Sequence, residues 1–459
     1  MKGINLFSEF PEISTKAWKQ KIQYDLRGAD YNDTLVWESP EGIKVKPFYN
    51  IDDTKENVFA TTVQNHSWLV GQTIYAGNGQ MANKKAKNSV SRGVECLRFI
   101  VPNDTVDPNI LLHTIDVNKT VVCLELQFVS ENYVQTLKET FGPNYDALYI
   151  LVDIVGNLSR SGNWYYNLNQ DHGIIDRLLK LERLQYLSVD VALYQNAGAN
   201  LSQQLGYAMA HANEYLEKYH DNGKLDQLKG FVFKIAVGSN YFFEIAKLRA
   251  LRWLWKSVLE AYALDIPCYI IASPSKRNKT LYDYNVNMLR TTSECMSAIL
   301  GGADMIVNLP YDSIYHKDNE FAERMAINQL LLLKEESHFD KVGNPADGSY
   351  YIESLTKQMA EKGLQLFKSI EMGGGFLKQL KNHTIQSKIR ESANKEQEKF
   401  DALEKVLVGT NKYKSDIDKM KQELEHYPFV KIKSRKTLIE PIIEKRLAEQ
   451  KEQERLKNE

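Results

Sequence analysis

The sequence predicts an α/β protein built on a (β/α)8 TIM-type barrel, and three observations carry that prediction. Short β-branched or apolar runs recur at 95–101, 121–128, 147–152, 185–191, 230–237, 267–273, 304–309 and 338–342. Longer segments with apolar residues at helical spacing separate them. Strands alternating with helices imply parallel pairing through right-handed crossovers, and eight such repeats in about 250–280 residues suit a closed barrel better than an open sheet.

The helical segments are legible one by one. Phe242, Ile245, Ala246 and Arg249 open a stripe that continues through Leu251, Leu254, Trp255 and Val258, and the stretches 201–219, 286–300 and 321–336 behave in the same way. These stripes read as core-facing helix surfaces. Residues 1–38 are polar and aromatic with little periodicity beyond a short amphipathic stretch from Trp18 to Leu26, so they read as an N-terminal arm. The barrel is expected over 39–385. From 386 to 459 the chain reads as a charged helical tail. Its mixed-sign runs, such as Lys395 to Lys399 and Glu449 to Glu459, read as solvated faces, with the last residues free to fray.

Composition excludes several classes of function. The 459 residues are 43% hydrophobic and 25% charged with a net charge of -1, which gives no pull toward nucleic acid or an anionic membrane. No apolar run approaches the roughly 20 residues of a membrane span, and the opening residues do not read as a signal peptide. A cytoplasmic protein is expected. Cys96, Cys123, Cys268 and Cys295 form no CxxC pair and read as reduced thiols, the first three within apolar runs.

Motifs of familiar chemistry are missing. Gly77-Asn78-Gly79 and Gly373-Gly374-Gly375 are neither a Walker loop nor a GxGxxG after a strand, and read as loops or helix caps. The chain has no HExxH, no GxSxG and no spaced Cys/His set for zinc. His316 near Asp318 reads as part of a surface loop. Barrel active sites lie at the C-terminal ends of strands, and here those ends carry Asp153, the run Val191-Ala192-Leu193-Tyr194, Ser273 and Asn308. These are mostly neutral groups with no evident acid/base pair.

Whole phrases supply a family resemblance. Ser39 to Tyr49 (SPEGIKVKPFY), Phe243 to Ala250 (FEIAKLRA), Leu300-Gly301-Gly302-Ala303, Glu335-Glu336-Ser337, Asp347 to Glu353 (DGSYYIE) and Gly409 to Tyr413 (GTNKY) occur in this order. Together they resemble the methylmalonyl-CoA mutase family, over about residues 39 to 445. The resemblance implies a barrel that threads an acyl-CoA along its axis and abuts a domain holding adenosylcobalamin. There the cofactor supplies the radical, while a histidine donates to the thioester carbonyl and tyrosines shield the reaction.

Departures from the family pattern decide what the resemblance implies here. A tyrosine–histidine pair precedes Gln-x-Ala-Gly in catalytic members; Gln195-Asn196-Ala197-Gly198 keeps the phrase, but Ala192 and Leu193 stand at the pair. Leucine cannot donate a hydrogen bond. The tyrosine five residues after a tryptophan is Thr73 when counted from Trp68, with Tyr75 two residues further on. The basic CoA-binding stretch after the sixth predicted strand corresponds to Cys268 to Pro274, with Cys268 at an arginine position. A histidine position in the seventh is Val307. None of the nine histidines has the Asp-x-His-x-x-Gly context of the cobalamin ligand, and no cobalamin-binding domain is expected.

The resemblance therefore implies a small, non-catalytic subunit of a heterodimeric mutase, to which no catalytic, cofactor-binding or metal residue is assigned. Adenosylcobalamin would be bound by a large catalytic partner subunit, none would be held by this chain alone, and a CoA thioester is a further possible ligand. Two alternatives stay open: a catalytic barrel served by a separate cobalamin-binding chain, and a CoA-thioester-binding scaffold.

Overall fold

A computed structural model describes residues 9, 13–54, 67–142, 148–180, 186–431 and 434–459. Eight parallel strands form one sheet: β1 Leu69–Tyr75, β2 Cys96–Val101, β3 Val121–Leu126, β4 Leu148–Leu151, β5 Tyr186–Asp190, β6 Gly230–Val237, β7 Cys268–Pro274 and β8 Met305–Val307. Their order is β4-β3-β2-β1-β8-β7-β6-β5. The seam between β4 and β5 is bridged where Ser188 N–H donates to Val152 O at 3.2 Å, so the sheet curls into a barrel. Helices on the outside complete the (β/α)8 architecture that the sequence predicts.

Seven of the eight predicted runs are strands, though Ala147 and Gln185, the first residues of two of them, lie outside the described residues. The eighth is corrected. Residues 338–342 form a loop in which His338 has a φ of 56°, a left-handed conformation foreign to a strand. The eighth strand is instead β1, at the start of the barrel. Its run LVGQTIY is broken by Gly71 and Gln72, which hides it from a search for apolar runs. Gly71 is required by close approach: a Cβ there would stand 2.9 Å from Val307 Cγ2 and 3.0 Å from Ile306 O. Counted from β1, the sixth and seventh predicted strands become β7 and β8.

The predicted helices form close to their expected bounds. The helix Leu201–Asp221 starts in a capping box, where Asn200 Oδ1 accepts from Gln203 N–H and Gln203 Oε1 accepts from Asn200 N–H, both at 2.9 Å. It packs beside Tyr241–Ala261 and Tyr350–Met372. The three approach closely at Gly363, where a Cβ would lie 2.9 Å from Leu205 Cβ and 3.0 Å from Leu254 Cδ1. The stretch 321–336 is α-helical over Glu320–Leu331 and widens to a π-turn at Leu332–Glu336. Asn78 caps the helix Gly79–Ser91, and Gly373 ends Tyr350–Met372, so both glycine clusters serve helix ends.

Two of the family-like phrases meet in space. Arg249 is nearly buried and pairs with Asp347 at 2.8 Å and Glu353 at 2.6 Å, while Gly348 N–H donates to Glu353 Oε1 at 3.1 Å. Glu244 and Lys247, from the same helix turn, form a second buried pair at 2.5 Å. Lys247 also donates to Ala236 O at 2.8 Å on β6.

The tail departs from a uniform charged helix. Thr384–Asp401 and Glu449–Lys457 are helical, and the stretch between them crosses the barrel as turns and extended chain. Not all its charges are solvated. Glu452 is 1% exposed, accepts from Leu281 N–H at 2.7 Å and pairs with Arg446 at 2.7 Å. Buried Glu449 accepts from the N–H groups of Arg446 and Val430. Glu459 is tied down rather than free: it accepts from Tyr282 Oη at 2.6 Å and from Met420 and Lys421 N–H at 2.9 Å. Unsatisfied backbone N–H groups of neighbouring loops draw these carboxylates inward.

Arg249→Ala should destabilise the fold by about 3–5 kcal/mol, because it leaves two carboxylates without their buried counter-ion. The denaturant midpoint of the folded chain measures this, and a loss under about 1 kcal/mol would show that the Arg249 pairs do not hold the fold together.

Candidate functional site at the barrel mouth

Alternate residues of each strand point into the barrel, and they fill it from the bottom upward. At the N-terminal ends Tyr149, Tyr186 and Tyr269 form a floor, with ring centroids 4.8 Å apart for the first two and 5.6 Å from each to Tyr269. Cys96, Cys123, Leu151, Val232, Ile271, Met305 and Val307 pack against them as an apolar cluster. Burial pushes the Cys268 thiol up to about 12, which keeps it protonated and unreactive.

Above this lies a ladder of charges, carried by strand residues of inward parity and by a helix and a tail segment above them. Arg98 on β2 pairs with Glu125 on β3 at 2.5 Å. Lys234 on β6 reaches Glu125 at 2.6 Å and Asp190 on β5 at 3.1 Å. Arg160, from the helix Ile154–Ser161 after β4, reaches Asp190 at 2.6 Å and Glu444 of the tail at 2.7 Å. Burial alone would raise the Glu125 carboxyl, but Arg98 and Lys234 override it and hold it lowered to about 2. Asp190 is held well below the carboxylate range in the same way, by Lys234, Arg160 and Arg98 against its burial.

The residues expected at the strand ends fall into separate places. Asp153 caps the helix Ile154–Ser161, accepting from Gly156 N–H at 2.6 Å. It also meets His211 Nε2 at 2.9 Å, Tyr215 Oη at 3.0 Å and Asp190 N–H at 2.9 Å. Tyr194 is fully buried, its hydroxyl 2.8 Å from His211 Nδ1, so the structure brings Asp153 and Tyr194 into one closed network. Ser273 and Asn308 do not join it. Asn308 donates to Ala326 O and Gln329 Oε1, tying β8 to the helix Glu320–Leu331. His316 pairs with Asp312 at 3.0 Å, while Asp318 accepts from Lys85.

Leu193 is fully buried in the main core, in a short helix that follows β5. Thr73 pairs in register with Arg98, and Tyr75 shares its inward parity but is 58% exposed at the open end of the barrel. A basic, hydroxyl-containing run, Ser275 to Thr280, lies just beyond β7 and follows the stretch Cys268 to Pro274. It is turned inward: Lys279 pairs with Glu294 at 2.7 Å and Arg277 with Glu396 at 2.5 Å. The charge ladder is not among the expected site residues. Its signal was a single charge inside each of four apolar strands, which a parallel barrel accepts only where the lumen pairs it.

The lumen thus holds side chains from the tyrosine floor up to the charge ladder.

Acid should weaken the ladder in a defined window. Glu125 has a folded pKa of about 2 against roughly 4.3 unfolded, so its contribution, on the order of 3 kcal/mol, is present above pH 4.3 and lost as pH falls toward 2. Glu125→Gln should lower stability at pH 7 and flatten the acid limb of the stability profile. An unchanged limb in urea titrations would show that the ladder does not govern acid sensitivity.

Sequence comparisons agree with this architecture. The sequence profile of methylmalonyl-CoA mutase matches residues 104–458. The methylmalonyl-CoA mutase small subunit of Porphyromonas gingivalis is 35% identical over 443 residues, covering 89% of this chain and 71% of that one. In Streptomyces virginiae the small subunit is 28% identical, covering 90% of this chain and 72% of its own length, and the large subunit 24% identical, covering 89% and 63%. With its mutase-like phrases set at the joints of a (β/α)8 barrel, this chain belongs to the methylmalonyl-CoA mutase family.

Proposed function

We propose that this chain is the small, non-catalytic subunit of a cytoplasmic, heterodimeric, adenosylcobalamin-dependent methylmalonyl-CoA mutase. In this reading the large subunit binds the cofactor and carries out the interconversion of methylmalonyl-CoA and succinyl-CoA. The observation that carries the reading is the filled lumen, from the tyrosine floor to the Arg98–Glu125–Lys234–Asp190–Arg160 ladder. Similarity to relatives named as small subunits supports it.

The arm offers a surface for the partner. The helix Thr15–Asp25 buries none of its residues, and Trp18 and Tyr24 are 49% and 80% exposed. A helix of 11 residues is marginal on its own, and exposed aromatic rings of this kind are enriched at interfaces. The following segment folds back on the barrel: Trp37 meets Phe243 edge-on at 5.6 Å, and Tyr49 lies 5.0 Å from Tyr351. Phe7 and Phe10, counted with the arm, lie outside the described residues.

The purified chain, given adenosylcobalamin and methylmalonyl-CoA, should show no turnover and retain neither ligand on gel filtration. Leu193→His should not change this, because groups that act as a unit are non-additive. Turnover by the isolated chain would instead favour a catalytic barrel served by a separate cobalamin-binding chain.

Deleting residues 1–38 should weaken association with the co-expressed large subunit by several kcal/mol, the usual size of a few lost anchor contacts. Unchanged affinity with a lowered melting temperature of the isolated chain would make the arm purely intramolecular.

A further inference from the structure

Residues 437–448 of the tail form a strap across the open end of the barrel. Ile442 N–H donates to Ser159 O at 2.8 Å, Lys445 N–H to Asn196 O at 3.1 Å, and Leu447 N–H to Arg277 O at 2.8 Å. Arg277 returns a bond to Lys445 O at 2.8 Å, and Ile439, Ile442 and Leu447 are buried beneath the strap. Backbone bonds and apolar anchors therefore already hold the strap in place. Glu444 adds something different: it sends a carboxylate back toward the lumen.

Each oxygen of that carboxylate has its own donor on a separate element. Oε2 accepts from Arg160 Nη1 at 2.7 Å, and Oε1 accepts from Asn196 Nδ2 at 2.9 Å, the asparagine being 5% exposed. Below it, the ladder sets three cations, Arg98, Lys234 and Arg160, against two carboxylates, Glu125 and Asp190. Asp153, the neighbouring acid, is engaged by His211, Tyr215 and two backbone N–H groups. Glu444 thus supplies the third anion, and one face of Arg160 depends on it.

We infer that the barrel mouth contains a carboxylate-binding site, built by Arg160 and Asn196, which the chain occupies in cis with Glu444. A small free carboxylate takes the same place once that side chain is removed. The guanidinium and the amide present N–H donors on two sides, which suits a planar carboxylate whose oxygens point apart. The site is independent of the subunit assignment, because every group in it comes from this chain.

Chemical rescue of the full chain tests the inference. Glu444→Ala should melt several degrees below the parent protein at neutral pH, and sodium acetate in the tens of millimolar should recover at least half of the loss. Sodium chloride or phosphate at equal ionic strength should not, and the parent protein should respond to acetate and chloride alike. In the double variant Glu444→Ala/Arg160→Ala the acetate effect should vanish. Equal effects of acetate and chloride on Glu444→Ala, or acetate rescue that survives loss of Arg160, would overturn the site. Should Glu444→Ala fail to fold, Glu444→Gln decides. It preserves shape without charge and should melt below the parent, and a melting temperature equal to the parent's would overturn the requirement for an anion.

Discussion

A charge withdrawn from water must find an opposite charge or lose its ionisation, and in this barrel that requirement organises the lumen. Arg98, Glu125, Lys234 and Asp190 come from four different strands, so no one of them is satisfied until β2, β3, β5 and β6 stand in register around a common axis. Such a ladder adds little net stability over an apolar filling, but losing one member is costly. It therefore acts on the register of the barrel more than on the depth of the folded state. It also occupies space along the axis, together with the tyrosine floor beneath it.

The tail depends on the same constraint. Arg160 links the ladder to Glu444, and Arg277 draws Glu396 from the helix Thr384–Asp401. Lys405 pairs with Glu396 as well. Farther along, Glu449 and Glu452 bind backbone N–H groups and Arg446, closing the chain over the loop that follows β7. A segment whose composition suggests a solvated helix is instead a set of carboxylates delivered to basic groups and unpaired N–H donors at the open end of the barrel.

The phrases that carry the family resemblance sit at joints of the architecture. Arg249 in the first helical phrase holds Asp347 and, 104 residues away, Glu353 in a later one. Gly301 packs against Leu248 so closely that a Cβ would lie 3.0 Å from the leucine's own Cβ. Asn411 in the GTNKY phrase donates to Phe400 O and Lys405 O and accepts from Leu407 N–H, fixing a turn in the tail. Buried ion pairs and close approaches tolerate few substitutions, which gives these phrases a structural reason to resemble one another among proteins that share the barrel.

By itself the sequence determined the strand–helix alternation, seven of the eight barrel strands, the main helices and the glycine caps. Those features depend on local periodicity and on backbone chemistry that neighbouring residues express directly. Tertiary structure alone decided that Leu69–Tyr75 closes the barrel and that 338–342 does not, because Gly71 makes sense only against Val307 and Ile306. It also decided the charge ladder. Arg98, Glu125, Lys234 and Asp190 each look like an isolated interruption of an apolar run, and their partners lie up to 109 residues away, from Glu125 to Lys234. Parity along a strand says that a side chain faces inward; only closure of the sheet says which opposite charge waits there, and so what fills the barrel.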